Sequence, residues 1–177
     1  MARERGRSLD VAWVQCHLAL VACDEARYGD AEALCNQALE IASVQVHWIR
    51  HWIFLALGRA ALLDEKPSHA VDLFRQALDH ARYSEARLDA TITLEYLAWA
   101  LAAEGWAREA TQLLAVVARE RDEMGVVLFP IDRPHHEKAM ETARSALGEE
   151  AFAAAWAEGE TLSLDEAVAR ALGEDVG

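Results

Sequence analysis

The sequence predicts an all-α fold, a solenoid of stacked antiparallel helix pairs closed by a C-terminal helical cap. Composition is the first reason. Only 9 of the 177 residues are Gly and 3 are Pro, while Ala, Leu and Glu recur throughout, a balance of good helix formers with few breakers. Periodicity is the second. In Trp52, Leu55 and Leu62, and beside them in Leu57 and Ala61, apolar residues recur at three, four and seven, which places them on adjoining faces of a helix. Repetition is the third. Residues 31–38 read AEALCNQA, residues 70–77 read AVDLFRQA and residues 110–117 read ATQLLAVV, at spacings of 39 and 40.

Each element follows from these signals. Residues 1–124 divide into three helix–turn–helix repeats at about 10–45, 48–84 and 90–124, and residues 125–177 form a linker and C-terminal capping helices. The first helices are expected at 11–23, 48–63 and 92–103. Turns are expected at Tyr28-Gly29-Asp30, at Asp64-Glu65-Lys66-Pro67-Ser68 and at Glu104-Gly105-Trp106. There Gly29 and Gly105 can take a left-handed cap, and Pro67 can end one helix or open the next. Extra length at 46–50 and 85–89 implies first helices about one turn longer than usual.

The packing positions resemble those of the tetratricopeptide repeat family, W-x2-L-G-x2-Y followed by A-x3-F. The central repeat supplies Phe54, Leu57, Gly58, Ala61, Ala70, Phe74 and Ala77. The first supplies Gln15, Leu18, Ala19, Ala22, Ala31, Cys35 and Ala38, and the third Leu94, Leu97, Ala98, Leu101, Ala110, Leu114 and Val117. Gln15 and Leu101 depart from the pattern. The resemblance covers about residues 10–124 and implies a right-handed superhelical stack. Small residues at Gly58 and Ala70 would let helices approach, and Phe74 would fill the gap between pairs.

The tail changes character. The run 125–130 is apolar and bounded by Gly125 and Pro130, which suits an extended segment on the last helix. Pro134 is expected to open a helix that Gly148 closes. A second runs over about 149–158 and ends at Gly159, and Ser163 with Glu166 forms a capping box for a last helix over 164–172. Phe152 and Trp156, one turn apart, suit a cap over the last repeat. The stretches LGEEAFAAAWAEG and LSLDEAVARAL resemble the C-terminal part of the tetratricopeptide-type region in large ATP-dependent, LuxR-like bacterial regulators and signal-transduction NTPases. That resemblance implies a sensor or scaffold segment, a fragment or truncated relative of such a protein. No G-x-x-x-x-G-K-[ST], G-x-G-x-x-G or G-x-S-x-G stretch is present, so neither ATP hydrolysis nor DNA reading carries over.

A net charge of −13 disfavours nucleic-acid and anionic membrane partners. The basic stretch 3–7 is a local exception, expected as a frayed end. No apolar run of about 18 residues occurs, and Asp10, Gln15 and His17 interrupt any signal-peptide core. The odd set Cys16, Cys23 and Cys35 suits a reducing cytoplasm and a core role. His47 and His51, at i and i+4, lack further metal ligands, and His135-His136 point about 100° apart and suit a solvated first turn. No cofactor, metal or catalytic constellation is expected.

The site that the resemblance implies is the concave groove lined by the first helices. It would comprise Trp13, Cys16 and Leu20, then Trp52, Leu55 and Arg59, then Ile92, Glu95 and Trp99. These residues suit a protein or peptide partner, since Trp and Arg dominate interface hot spots. A small-molecule sensor using the same groove is the alternative. Apolar residues at the amino end, Trp13, Val14 and Leu18, need a neighbour: a further repeat where the native chain continues upstream, and otherwise a second copy in a homodimer.

Overall fold

The structure is a computed structural model that describes residues 2–42, 46–83 and 86–174, with side chains from Ser8 onward. The side chains of Arg3, Arg5 and Arg7 and the linking residues 43–45 and 84–85 fall outside that description. Among the described residues the chain forms nine α-helices and no strand. These are α1 (Ala2–Asp24), α2 (Tyr28–Ile41), α3 (His47–Leu63), α4 (Pro67–Ala81), α5 (Arg87–Glu104), α6 (Ala107–Met124), α7 (Arg133–Leu147), α8 (Glu149–Glu160) and α9 (Leu164–Leu172). None of them is long and apolar enough to cross a membrane. The helix-pair expectation holds, and the first helices run longer than expected. α1 starts at Ala2 rather than at Val11, and α5 at Arg87 rather than at Ile92.

The chain falls into two compact units, Met1–Ala86 and Arg87–Gly177. In the first, α1 packs on α2, α3 on α4, and α3 also on both members of the preceding pair. The repeated small-and-large pattern explains this nesting. Ala31, Cys35, Ala38, Ala70, Phe74 and Ala77 are all fully buried. Gly58 lets α3 approach α4, because a Cβ there would lie 2.6 Å from Phe74 Cδ1. The full burial of Phe74 contributes about 1.5–3 kcal/mol, and only a residue without a side chain leaves room for its ring.

In the second unit α5 pairs with α6, and the C-terminal helices gather round them. α7 contacts both, α8 packs on α6 and α7, and α9 touches both α5 and α6. Ala110 and Leu114 repeat the fully buried positions of the first unit, and Val117 is nearly as covered. Phe152 and Trp156 stack at 6.0 Å and join Ala107, Met140, Ala143 and Leu147 in a cluster, the expected cap over α6. Gly159 differs from expectation. It lies inside α8 rather than ending it, because the helix backbone there presses onto α6, and a methyl group at this position would lie 2.8 Å from Gln112 Cα. α7 opens at Arg133, with Pro134 in its first turn, and ends at Gly148. The Ser163–Glu166 capping box starts α9.

The turns within pairs repeat bond for bond. Ala26, Glu65 and Gly105 all take positive φ, at 57°, 58° and 92°. In each turn the residue itself donates to the carbonyl three back (Cys23, Leu62, Ala102). The next residue donates to the carbonyl five back (Ala22, Ala61, Leu101). Gly29 is therefore not the left-handed cap of the first turn. That position is Ala26, and Gly29 sits in the first turn of α2. Pro67 opens α4, where its missing N–H costs nothing.

Candidate partner-docking face

In the first unit, α1 and α3 lie side by side and parallel. Trp13 packs against Trp48 at 5.5 Å and Trp52 at 6.0 Å between ring centroids. Farther along, the Cys23 thiol reaches the Ala56 carbonyl at 4.0 Å, and Arg59 donates to Asp24 at 2.6 Å. The paired numbers rise together, as two consecutive first helices in a stack require. Trp48 and Trp52 share a face of α3 one turn apart, and Trp13 meets both rings. His17 stands edge-on to Trp13 at 4.1 Å.

This arrangement leaves a half-open aromatic surface. Trp48 is 45% exposed, and Trp13, Leu20 and Trp52 are half-buried. Three of the nine groove residues lie below it. Cys16 and Leu55 are core residues, and Arg59 is buried at 7% exposure with its charge neutralised by Asp24. Sequence reasoning misses Trp48 and Asp24. The position of Trp48, four before Trp52 on the same helix, is the signal that could have found it.

The third set of groove residues belongs to the second unit, where the tail covers it. Ile92 is half-buried, but Glu95 is 1% and Trp99 4% exposed. Glu95 accepts from Arg121 of α6 and from His136 Nδ1 of α7 at 3.1 Å. Trp99 lies 5.8 Å from the His135 ring and 4.7 Å from Tyr96, whose hydroxyl donates to Asp132 at 2.9 Å. A buried carboxylate is tolerated here because it is paired with a cation and bonded again. His135 and His136 therefore dock α7 on α5 and do not form the solvated turn expected from the sequence.

His47, His51, His80 and the thiols also have structural tasks. His51 turns inward and bonds the Ala77 carbonyl at 3.2 Å through Nδ1. His47 meets His80 at 3.0 Å between Nδ1 atoms and stacks on Tyr83. His47 and His51 do not converge, and no group of three or more His, Cys, Asp or Glu able to hold a metal ion occurs among the described residues. Cys16, Cys23 and Cys35 are buried free thiols. Burial pushes Cys16 up to about 12 and Cys23 up to about 11, and raises Cys35 as well.

Residues 10–82 match the family model of the tetratricopeptide repeat, and the helix pairs there are similar to repeats of that type. The chain is also 30% identical over 158 residues to proteins named "Putative HTH-type transcriptional regulator" from two strains of Mycobacterium tuberculosis and from Mycobacterium bovis. The alignment covers 89% of this chain and 18% of each relative, so the chain spans less than a fifth of the curated relatives it matches. No solved structure matches it significantly.

Proposed function

We propose that this chain is a non-catalytic protein-interaction module of a bacterial transcriptional regulator or a relative of one, and that a partner segment docks on the α1–α3 face of the first unit. The Trp13–Trp48–Trp52 cluster carries the reading. Large aromatic side chains left half-open on a rigid helical face are the usual anchors of an interface, and the parallel helices beneath them suit a helical or extended peptide. Similarity to regulators supports the setting, and the tetratricopeptide repeats support the mode. The reduced, buried thiols fit a cytoplasmic location. A net charge of −13 makes this segment a poor partner for nucleic acid, so any DNA contact belongs to other parts of a regulator.

The test uses a displayed random peptide library as the probe. Peptides selected on the full chain should lose about tenfold or more in affinity on Trp48→Ala, given that a hot-spot truncation costs about 2 kcal/mol. Trp48 is exposed enough that its removal leaves the fold intact, which helical circular dichroism checks. Selected peptides that bind Trp48→Ala and Trp52→Ala as well as the parent chain would refute the docking face.

A further inference from the structure

At the end of the central pair far from its turn, α3 and α4 are joined by polar rings. His47 in the first turn of α3 and His80 in the last turn of α4 bring their Nδ1 atoms to 3.0 Å. Arg50 Nε donates to His80 Nε2 at 3.4 Å, and Arg50 Nη1 donates to the Ala42 carbonyl at 3.1 Å. The His80 ring lies nearly parallel to that of Phe54, at 5.6 Å between centroids, and His47 stacks on Tyr83 at 4.2 Å.

These contacts fix where the ring hydrogens sit. A guanidinium only donates, so Nε2 of His80 carries a lone pair. A neutral His80 then bears its hydrogen on Nδ1, and the facing Nδ1 of His47 accepts it. Neither ring can take a further proton without breaking a bond. On His80 that proton would sit at Nε2, against the Arg50 N–H. On His47 it would sit at Nδ1, against the His80 N–H. The nearest carboxylate is already engaged, since Asp79 pairs with Arg82 at 2.9 Å. Burial, then Arg50 and His47, bring His80 below the usual 6.5, with His51 acting in the same direction and Asp79 against it. The joint is therefore complete above that pH and is lost as pH falls through the lowered value.

We propose that Arg50, His80 and His47 form a proton-operated clasp on the first turn of α3, which holds Trp48 in the docking face while both rings are neutral and releases it when either is protonated. Trp48 directly follows His47 and packs on Trp13 at 5.5 Å. Ile49 is fully buried and His51 bonds the Ala77 carbonyl, so release frays the first turn and leaves the core of α3 in place. The consequence for a partner rests on the docking reading, whereas the clasp does not.

Long-range proton–nitrogen NMR spectra of the full chain at about pH 7.5 should show the His80 ring with its hydrogen on Nδ1. A hydrogen on Nε2 would overturn the clasp. Arg50→Met removes a charge that opposes protonation, so it should raise the His80 titration midpoint; an unmoved midpoint counts against the proposal. The Trp48 indole N–H signal should shift together with the His80 ring as pH falls, and an indole signal that stays in place would overturn release. Peptides that depend on Trp48 should bind about tenfold less tightly at about pH 5.5 than at about pH 7.5. His80→Gln should reduce that change, and His17→Gln, beside Trp13 on the same face, should leave it. Equal affinities at both pH values, or a slope that His80→Gln does not alter, would overturn regulation of the face. Peptides indifferent to Trp48 would refute the docking reading alone, because the His80 and indole signals report on the clasp without a partner.

Discussion

Gly58→Ala measures how tightly the two helices of the central pair are packed. Two effects oppose each other. Alanine is favoured over glycine inside a helix by about 1 kcal/mol, and Gly58 lies well inside α3. Against that, the new methyl would sit 2.6 Å from Phe74 Cδ1 and 2.9 Å from Cζ, and closer still to Cε1. Carbon atoms pack best at about 3.5–4.0 Å, so ring or helix must shift by about 1 Å. Phe74 is fully buried, so its ring cannot swing out into solvent. Overpacking of this kind costs about 1–3 kcal/mol, and a displacement this large belongs at the upper end. The net expectation is a loss of about 2 kcal/mol, or a fall in Tm of roughly 10 °C for a unit of this size. Thermal and urea unfolding followed by circular dichroism reads it. Phe74→Leu in the Gly58→Ala background should recover part of the loss, with a coupling above about 0.5 kcal/mol in the double-mutant cycle. If Gly58→Ala instead stabilised the chain by about 1 kcal/mol, the close approach of α3 and α4 would be refuted.

Three further outcomes follow from the same packing. Gly159→Ala should destabilise the second unit by at least as much, because its methyl would meet the Gln112 backbone, which cannot rotate away; equal unfolding midpoints for variant and parent would contradict this. The thiols should resist alkylation in the native chain. Burial lifts Cys16 from 9.0 to about 12 and thus lowers its thiolate fraction about a thousandfold, so prompt labelling by a disulfide reagent without denaturant would argue against a closed core. His80 holds its proton less readily than the usual 6.5, chiefly through burial and then through Arg50 and His47. The unfolded chain therefore binds more protons as pH falls below 6.5. The first unit should be at full stability above that pH and melt at lower temperature near about pH 5.5, and His80→Gln should flatten the slope.

The repeat is legible because packing positions carry a residue-size code that survives in one sequence. Ala31, Ala70 and Ala110, and Cys35, Phe74 and Leu114, read as equivalent and are all fully buried. Leu18 matches the pattern in sequence yet lies open while its counterpart Leu97 is fully buried. The same residue type at the same register is covered only if another helix lies against it, and composition cannot reveal that neighbour. The groove is legible in part for a related reason. Register places Trp13 and Trp52, whereas the cover over Glu95 and Trp99 depends on where α7 returns, through the Arg121, His136 and Asp132 contacts. Those pairs are 26 and more residues apart and carry no local spacing signal. Gly159 misleads because a glycine near a helix end looks the same in sequence whether it stops the helix or admits a neighbour.

The three intra-pair turns carry Ala, Glu and Gly at one left-handed position with the same hydrogen bonds around it. The bend is thus held by main-chain atoms, and a side chain there alters its cost by only about 1 kcal/mol. Such a joint lets successive hairpins drift apart in sequence without altering the path of the chain. That tolerance accounts for a hairpin at residues 87–124 that repeats the turn of its predecessors although the recognisable family signature extends only over residues 10–82.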